Sequence, residues 1–150
     1  MNRDELWSAL RAATIAAAAT AGVLIGIGRR DLTAWYPFNV AASHVLGARA
    51  AAVYGFAVPI TVVGILVHFA VVAVLSVILL ALVRRNRAPL WPSAAGLSLF
   101  IALISMGLAR RGTPALAGIL PVGDLTLYFV LLAASLGVGM RFALPKEATR

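Results

Sequence analysis

The chain has 150 residues, 62% of them hydrophobic and only 12% charged, against about 45–50% and about 25% in soluble globular domains. Thirteen basic and five acidic residues give a formal charge of +8, and cysteine is absent. A soluble fold, disulfides, thiolate metal ligation and thiol redox chemistry are thereby excluded. The basic residues also fall in pairs and triplets at the ends of apolar runs, where they anchor helices at anionic headgroups rather than read nucleic acid.

Met1 to Leu10 is a short polar start in which Asp4 and Glu5 suit the positive end of a helix dipole and Trp7 suits an interface. The apolar run Ala12 to Gly28 predicts a first span over about 8–28. AAAATAG has the small residues of a signal-peptide cleavage site. The apolar stretch continues through VLIGIG, however, and the leading region carries acids as well as Arg3, so an uncleaved span is expected. Gly22 and Gly26 form a small-xxx-small pair that lets a neighbouring helix approach closely. Arg29-Arg30-Asp31 closes the span.

Leu32 to Phe56 is neither a clean span nor a clean loop. Trp35-Tyr36 is an interfacial aromatic pair, and Pro37 breaks one helix and opens another. Phe38, Ala41, Val45, Ala52 and Phe56 then recur at three- to four-residue spacing with one gap. Arg49 falls in the gap, placed to snorkel outwards or to meet an anionic headgroup. The pattern predicts a helix over about 37–56 that lies in the interface or re-enters the membrane.

Pro59 opens a second span, about 59–83, which Arg84-Arg85-Asn86-Arg87 stops. Pro89, Trp91 and Pro92 mark an interfacial turn into a third span over about 93–109, whose interior polar groups are Ser98 and Ser105. After Arg110-Arg111-Gly112-Thr113-Pro114, a fourth span over about 121–140 leads into a tail with Arg141, Lys146, Glu147 and Arg150. The expected fold is all-α: one polytopic membrane domain of four transmembrane helices, with an extra interfacial or re-entrant helix between the first and second. Eight basic residues fall on the side of the termini and five on the other. The positive-inside rule thus places both termini in the cytoplasm.

An ionisable group at membrane depth is a functional hypothesis by default, so the two histidines lead the candidate residues. His68 lies about nine residues into the second span and shares a helix face with Thr61 and Gly64. Its functional readings are a haem or metal ligand, a proton relay, or a contact to a quinone or other polar-headed ligand. Its structural reading is an interhelical hydrogen bond. On the preceding helix Asn39 and Ser43 stack at i and i+4, with His44 on the adjacent strip. His44 and His68 meeting on one haem iron would need a re-entrant dip, since His68 lies roughly 13 Å below the outer end of its span at the helical rise. Two histidines without a nearby carboxylate fall short of a metal site.

Asp124, three residues after Pro121, suits the first turn of the fourth span, where free backbone N–H groups and the dipole satisfy a carboxylate; the other reading is a proton- or ion-coupling acid. No nucleophile–base–acid set, phosphate loop or paired carboxylates occurs, so no catalytic residue is assigned.

Pro37, Phe38, Asn39, Ser43, His44, Leu46 and Gly47, followed by Thr61, Gly64 and His68, form a P-F-N-x-x-x-S-H-x-L-G segment and a T-x-x-G-x-x-x-H helix. These stretches, about a quarter of the chain, resemble an uncharacterised family of small four-span bacterial membrane proteins, members of which are sometimes labelled sodium:proline symporters. The resemblance implies the four-span fold and an inner-membrane location, and it points to the two histidines.

The functional expectation is a non-catalytic accessory or structural component of a membrane assembly. Its partners would be membrane lipids and either other membrane subunits or copies of itself, with no nucleic acid and no cofactor. The alternative is a protein that handles a small ligand or ion through Asn39, Ser43, His44, Thr61 and His68. That alternative covers a haem-binding electron-transfer subunit and a minimal oligomeric transporter.

Overall fold

Long runs of alanine, leucine, valine and isoleucine, punctuated by proline only near their starts, carry helices that end where arginines or glycines accumulate. A computed structural model describes residues 3–144; Lys146, Glu147 and Arg150 of the basic tail lie outside them. In chain order the helices are α1 (Arg3–Asp31), α2 (Tyr36–Leu46), α3 (Val58–Arg85), α4 (Leu90–Arg110), α5 (Leu116–Ile119) and α6 (Val122–Ala143). A 3₁₀ segment at Ala48–Ala52 links α2 to α3. Four helices, α1, α3, α4 and α6, are long and apolar enough to cross a membrane. This is a helical membrane protein.

Each of the first three spans extends past its expected limits. In α1, Asp4 and Glu5 occupy the first turn and Arg29 and Arg30 the last, so both ends complement the helix dipole. The expected single helix over about 37–56 is divided. Gly47 takes a positive φ of 87°, which stops α2, and the chain passes through the 3₁₀ turn into an extended stretch at Val53. The buried side of α2 is Tyr36 to Val40 with Ala42 and Ser43, while Val45 and Phe56, from the apolar spacing of the sequence, are exposed on the surface of the bundle. The four-residue α5 has no counterpart in the periodicity of the sequence.

Lipid tails are as apolar as leucine, so helices in a membrane associate through close packing and hydrogen bonds rather than through expulsion of water. Alanine provides the closeness in α1, where Ala9, Ala12, Ala16 and Thr20 form one buried stripe toward α6 and α3. Gly139 of α6 sits so near that stripe that a Cβ would come 2.7 Å from the Ala12 carbonyl oxygen, and Gly137 receives the Trp91 ring. Gly22 and Gly26, by contrast, have open space where their side chains would be, so they do not mediate contact within the chain.

Polar clasps join the ends. Arg30 pairs with Asp124 where α1 ends and α6 begins, and Arg84 pairs with Glu5 at 3.1 Å where α3 ends and α1 begins. Asp124 stands in the first turn of α6, where it pairs with the Arg30 guanidinium. α1 packs broadly on α3 and α6, and α6 on α4, but α3 and α4 touch little. A tight turn through Arg87, at φ 52°, joins those two at one end. At the other end α2 packs on α3 and α5 packs on α4.

Candidate functional site: a cavity between α2, α3 and α4

The site begins with a glycine. At Gly64 of α3 a Cβ would lie 1.9 Å from the Phe38 carbonyl oxygen, so only glycine lets the α2 backbone rest directly on α3. Phe38 consequently lies six to ten residues along α3, against Gly64 and edge-on to the His68 ring at 5.9 Å. At 1.5 Å per residue that is roughly 9–15 Å below the start of α3. The first half of α2 therefore reaches well down the side of α3 rather than lying across its end.

Asn39 fixes this placement. Its amide nitrogen donates to the carbonyls of Val53 at 2.7 Å and Gly55 at 2.9 Å, and its amide oxygen accepts the Thr61 hydroxyl at 2.8 Å. The Ala57 N–H in turn donates to Thr61 Oγ1 at 3.1 Å. Both side chains are fully buried, and their bonds tie α2, the 53–57 link and the first turn of α3 into one unit. The Ser43 hydroxyl turns back to the Val40 carbonyl at 2.7 Å.

His68, 7% exposed, hangs from α3 toward α1. Its Nε2 is 3.0 Å from Thr20 Oγ1 and 3.3 Å from the Ala17 carbonyl oxygen. A carbonyl can only accept, so this contact puts the proton on Nε2. The Thr20 hydroxyl is then free to donate to Ala16 at 2.8 Å while accepting from the ring. Among the described residues the other ring nitrogen, Nδ1, meets no hydrogen-bond partner. Since no buried side-chain nitrogen or oxygen among the described residues is left unpartnered, Nδ1 opens onto accessible space. The same holds for the hydroxyl of Tyr128, whose residue is 5% exposed.

Both His68 and Tyr128 line a cavity of about 270 Å³. Pro37, Phe38, Ala41 and His44 of α2 form one wall, Val67, His68 and Val71 of α3 a second, and Ile101, Ile104, Ser105 and Leu108 of α4 a third. Tyr128 and Phe129 of α6 and Leu24 of α1 close the interior, with Ala115 and Leu116 at α5. Ser105 also holds α5, accepting the Ala117 N–H at 3.1 Å. Val71, Ile104 and His44 line the cavity and are themselves exposed, so its mouth lies between α3 and α4 beside the end of α2. The walls carry no Asp, Glu, Lys or Arg. Such a chamber suits a neutral, mostly apolar molecule that hydrogen-bonds at one or two points.

No protein-family model, curated protein or solved structure matches the chain.

The structure brings His44 and His68 to one cavity and places Asn39, Ser43 and Thr61 beside it, with their hydrogen bonds made internally. Arg49, exposed in the 3₁₀ turn, and Asp124, paired with Arg30, are not among its walls. No group of three or more His, Cys, Asp or Glu side chains comes together among the described residues. On the buried side of α2, Tyr36 stacks on Tyr54 with ring centroids 4.5 Å apart; burial, aided by the Tyr54 hydroxyl, raises its phenol above the ordinary value. Thr20 and Tyr128 are the site residues that sequence reasoning missed. Tyr128 had a signal: a tyrosine about six residues inside a span is too deep for the interfacial belt where such rings collect.

Proposed function

We propose that this protein binds a small, neutral, largely apolar molecule drawn from the bilayer, using the cavity that His44 and His68 share. The observation that carries the reading is the open Nδ1 of a buried histidine on an otherwise apolar wall. A ligand that donates to this nitrogen gains a hydrogen bond that no protein group supplies, worth about 0.5–1.5 kcal/mol. The mouth between Val71 and Ile104 faces the apolar outer surface, the side from which a lipid-soluble molecule arrives. The protein is further proposed to reside in a bacterial inner membrane with both termini cytoplasmic, as a member of the four-span family that its histidine segments resemble.

The test is extraction of the protein with its surrounding lipid in polymer-bounded discs, followed by mass spectrometry of everything soluble in organic solvent. One small molecule per chain, other than bulk lipid, is expected from the wild type. It should be lost from Ala41→Phe, which fills the cavity from the α2 wall at a stability cost of about 1–3 kcal/mol. If no such molecule is present and stoichiometric protein partners accompany the chain instead, the accessory-subunit reading takes its place.

A further inference from the structure

We infer that the occupant of this cavity is a phenol, a ring whose hydroxyl donates to Nδ1 of His68. The inference rests on the cavity being a binding site and adds the chemistry of what it takes.

Charge comes first. With no ionic side chain in the walls, a charged ligand would be desolvated without compensation. Hydrogen-bond polarity comes next. The Ala17 carbonyl at 3.3 Å and Thr20 at 3.0 Å hold the imidazole proton on Nε2, on the far side of the ring from Nδ1. Nδ1 therefore offers a lone pair. A ketone or ether oxygen would set lone pair against lone pair, and a hydrocarbon would leave Nδ1 unpaired. A ligand O–H satisfies it. The Tyr128 hydroxyl, also without a partner among the described residues, supplies a donor for an oxygen on the ligand.

Shape supplies the ring. Phe38 meets His68 edge-on at 5.9 Å, and Phe129 meets Tyr128 at 5.0 Å with their planes 74° apart. All four rings line the chamber, and further edge-to-face contacts favour an aromatic guest. The volume of about 270 Å³ is nearly twice that of the 150 Å³ apolar cavity known to hold benzene. It accommodates a substituted ring but not a long chain, so any tail must leave through the mouth between Val71 and Ile104.

The experiment uses the full chain in lipid nanodiscs with two probes, 4-heptylphenol and its methyl ether. They share ring and tail and differ in the single donor hydrogen. Retention after rapid gel filtration is quantified by mass spectrometry against empty nanodiscs. The wild type should hold the phenol on the order of tenfold more tightly than the ether, or better. His68→Phe should lose that preference. Because the wild type is compared across two probes, the result stands even if this variant does not fold. Equal retention of both probes, or preference for the ether, overturns the phenol assignment and leaves the cavity as a binding site. Retention of neither above empty nanodiscs overturns the site reading itself.

Discussion

At the scale of single residues, Asn39 and Thr20 are both buried and polar, yet they carry different weights. Asn39 satisfies two carbonyls and a hydroxyl at once, so Asn39→Leu leaves three groups unpaired and should cost about 2–4 kcal/mol. Thr20→Val removes one of the two acceptors of the His68 ring and should cost about 1 kcal/mol or less. Reversible unfolding in mixed detergent measures both; equal costs would mean that the Asn39 amide does not hold the 53–57 link. Asn39, Thr61 and the histidines stood out in the sequence because polar groups are scarce in such apolar surroundings. Which of them face a ligand and which face each other did not stand out. Asn39 and Thr61 are 22 residues apart, and only the fold brings them together. Thr20 passed unnoticed because one threonine in an alanine run also reads as a back-bonded helix hydroxyl, a bond that it does make to Ala16.

At the scale of elements, glycine separates contact from open surface. Gly64→Ala would put a Cβ 1.9 Å from a carbonyl oxygen of α2. Since backbone cannot swing aside as a side chain can, α2 must lift, and a loss above about 3 kcal/mol is expected. Gly22→Ala meets nothing within 4 Å and should be neutral, or stabilising by up to about 1 kcal/mol through helix propensity. Thermal unfolding of the two variants side by side tests this, and a tolerated Gly64→Ala would refute the close approach. Four spans were legible from length and hydropathy because the bilayer demands about 20 apolar residues each. The small-xxx-small spacing of Gly22 and Gly26 was equally visible and marked no contact, because spacing states which residues share a face but not which helix that face meets. The break at Gly47 falls inside the one gap of the apolar period, between Val45 and Ala52, which in the sequence read as a place for Arg49 to snorkel rather than as a stop.

At the scale of the molecule, the distribution of arginine sets an expectation for orientation. Arg84, Arg85 and Arg87 stand at the same end as Arg3, Arg11 and Arg141, and Arg29, Arg30, Arg49, Arg110 and Arg111 stand at the other. The absence of native cysteine permits single-cysteine mapping without background. Asn86→Cys should react with a membrane-impermeant maleimide only after permeabilisation, and Val122→Cys in intact cells; the reverse pattern would turn the protein over. The end-to-end clasps Arg30–Asp124 and Arg84–Glu5 were not visible in the sequence, because each joins charges far apart in the chain that only antiparallel packing brings to one rim.

The chamber occupies only the half of the bundle where α2 and α5 fold in. In the other half Leu75, Leu79, Leu136 and Met140 are packed solid, and Trp91 is pressed onto Gly137. The interior is therefore a cul-de-sac. On the binding reading proposed above, a molecule that enters between α3 and α4 leaves by the same opening, because the packed half gives it no way through.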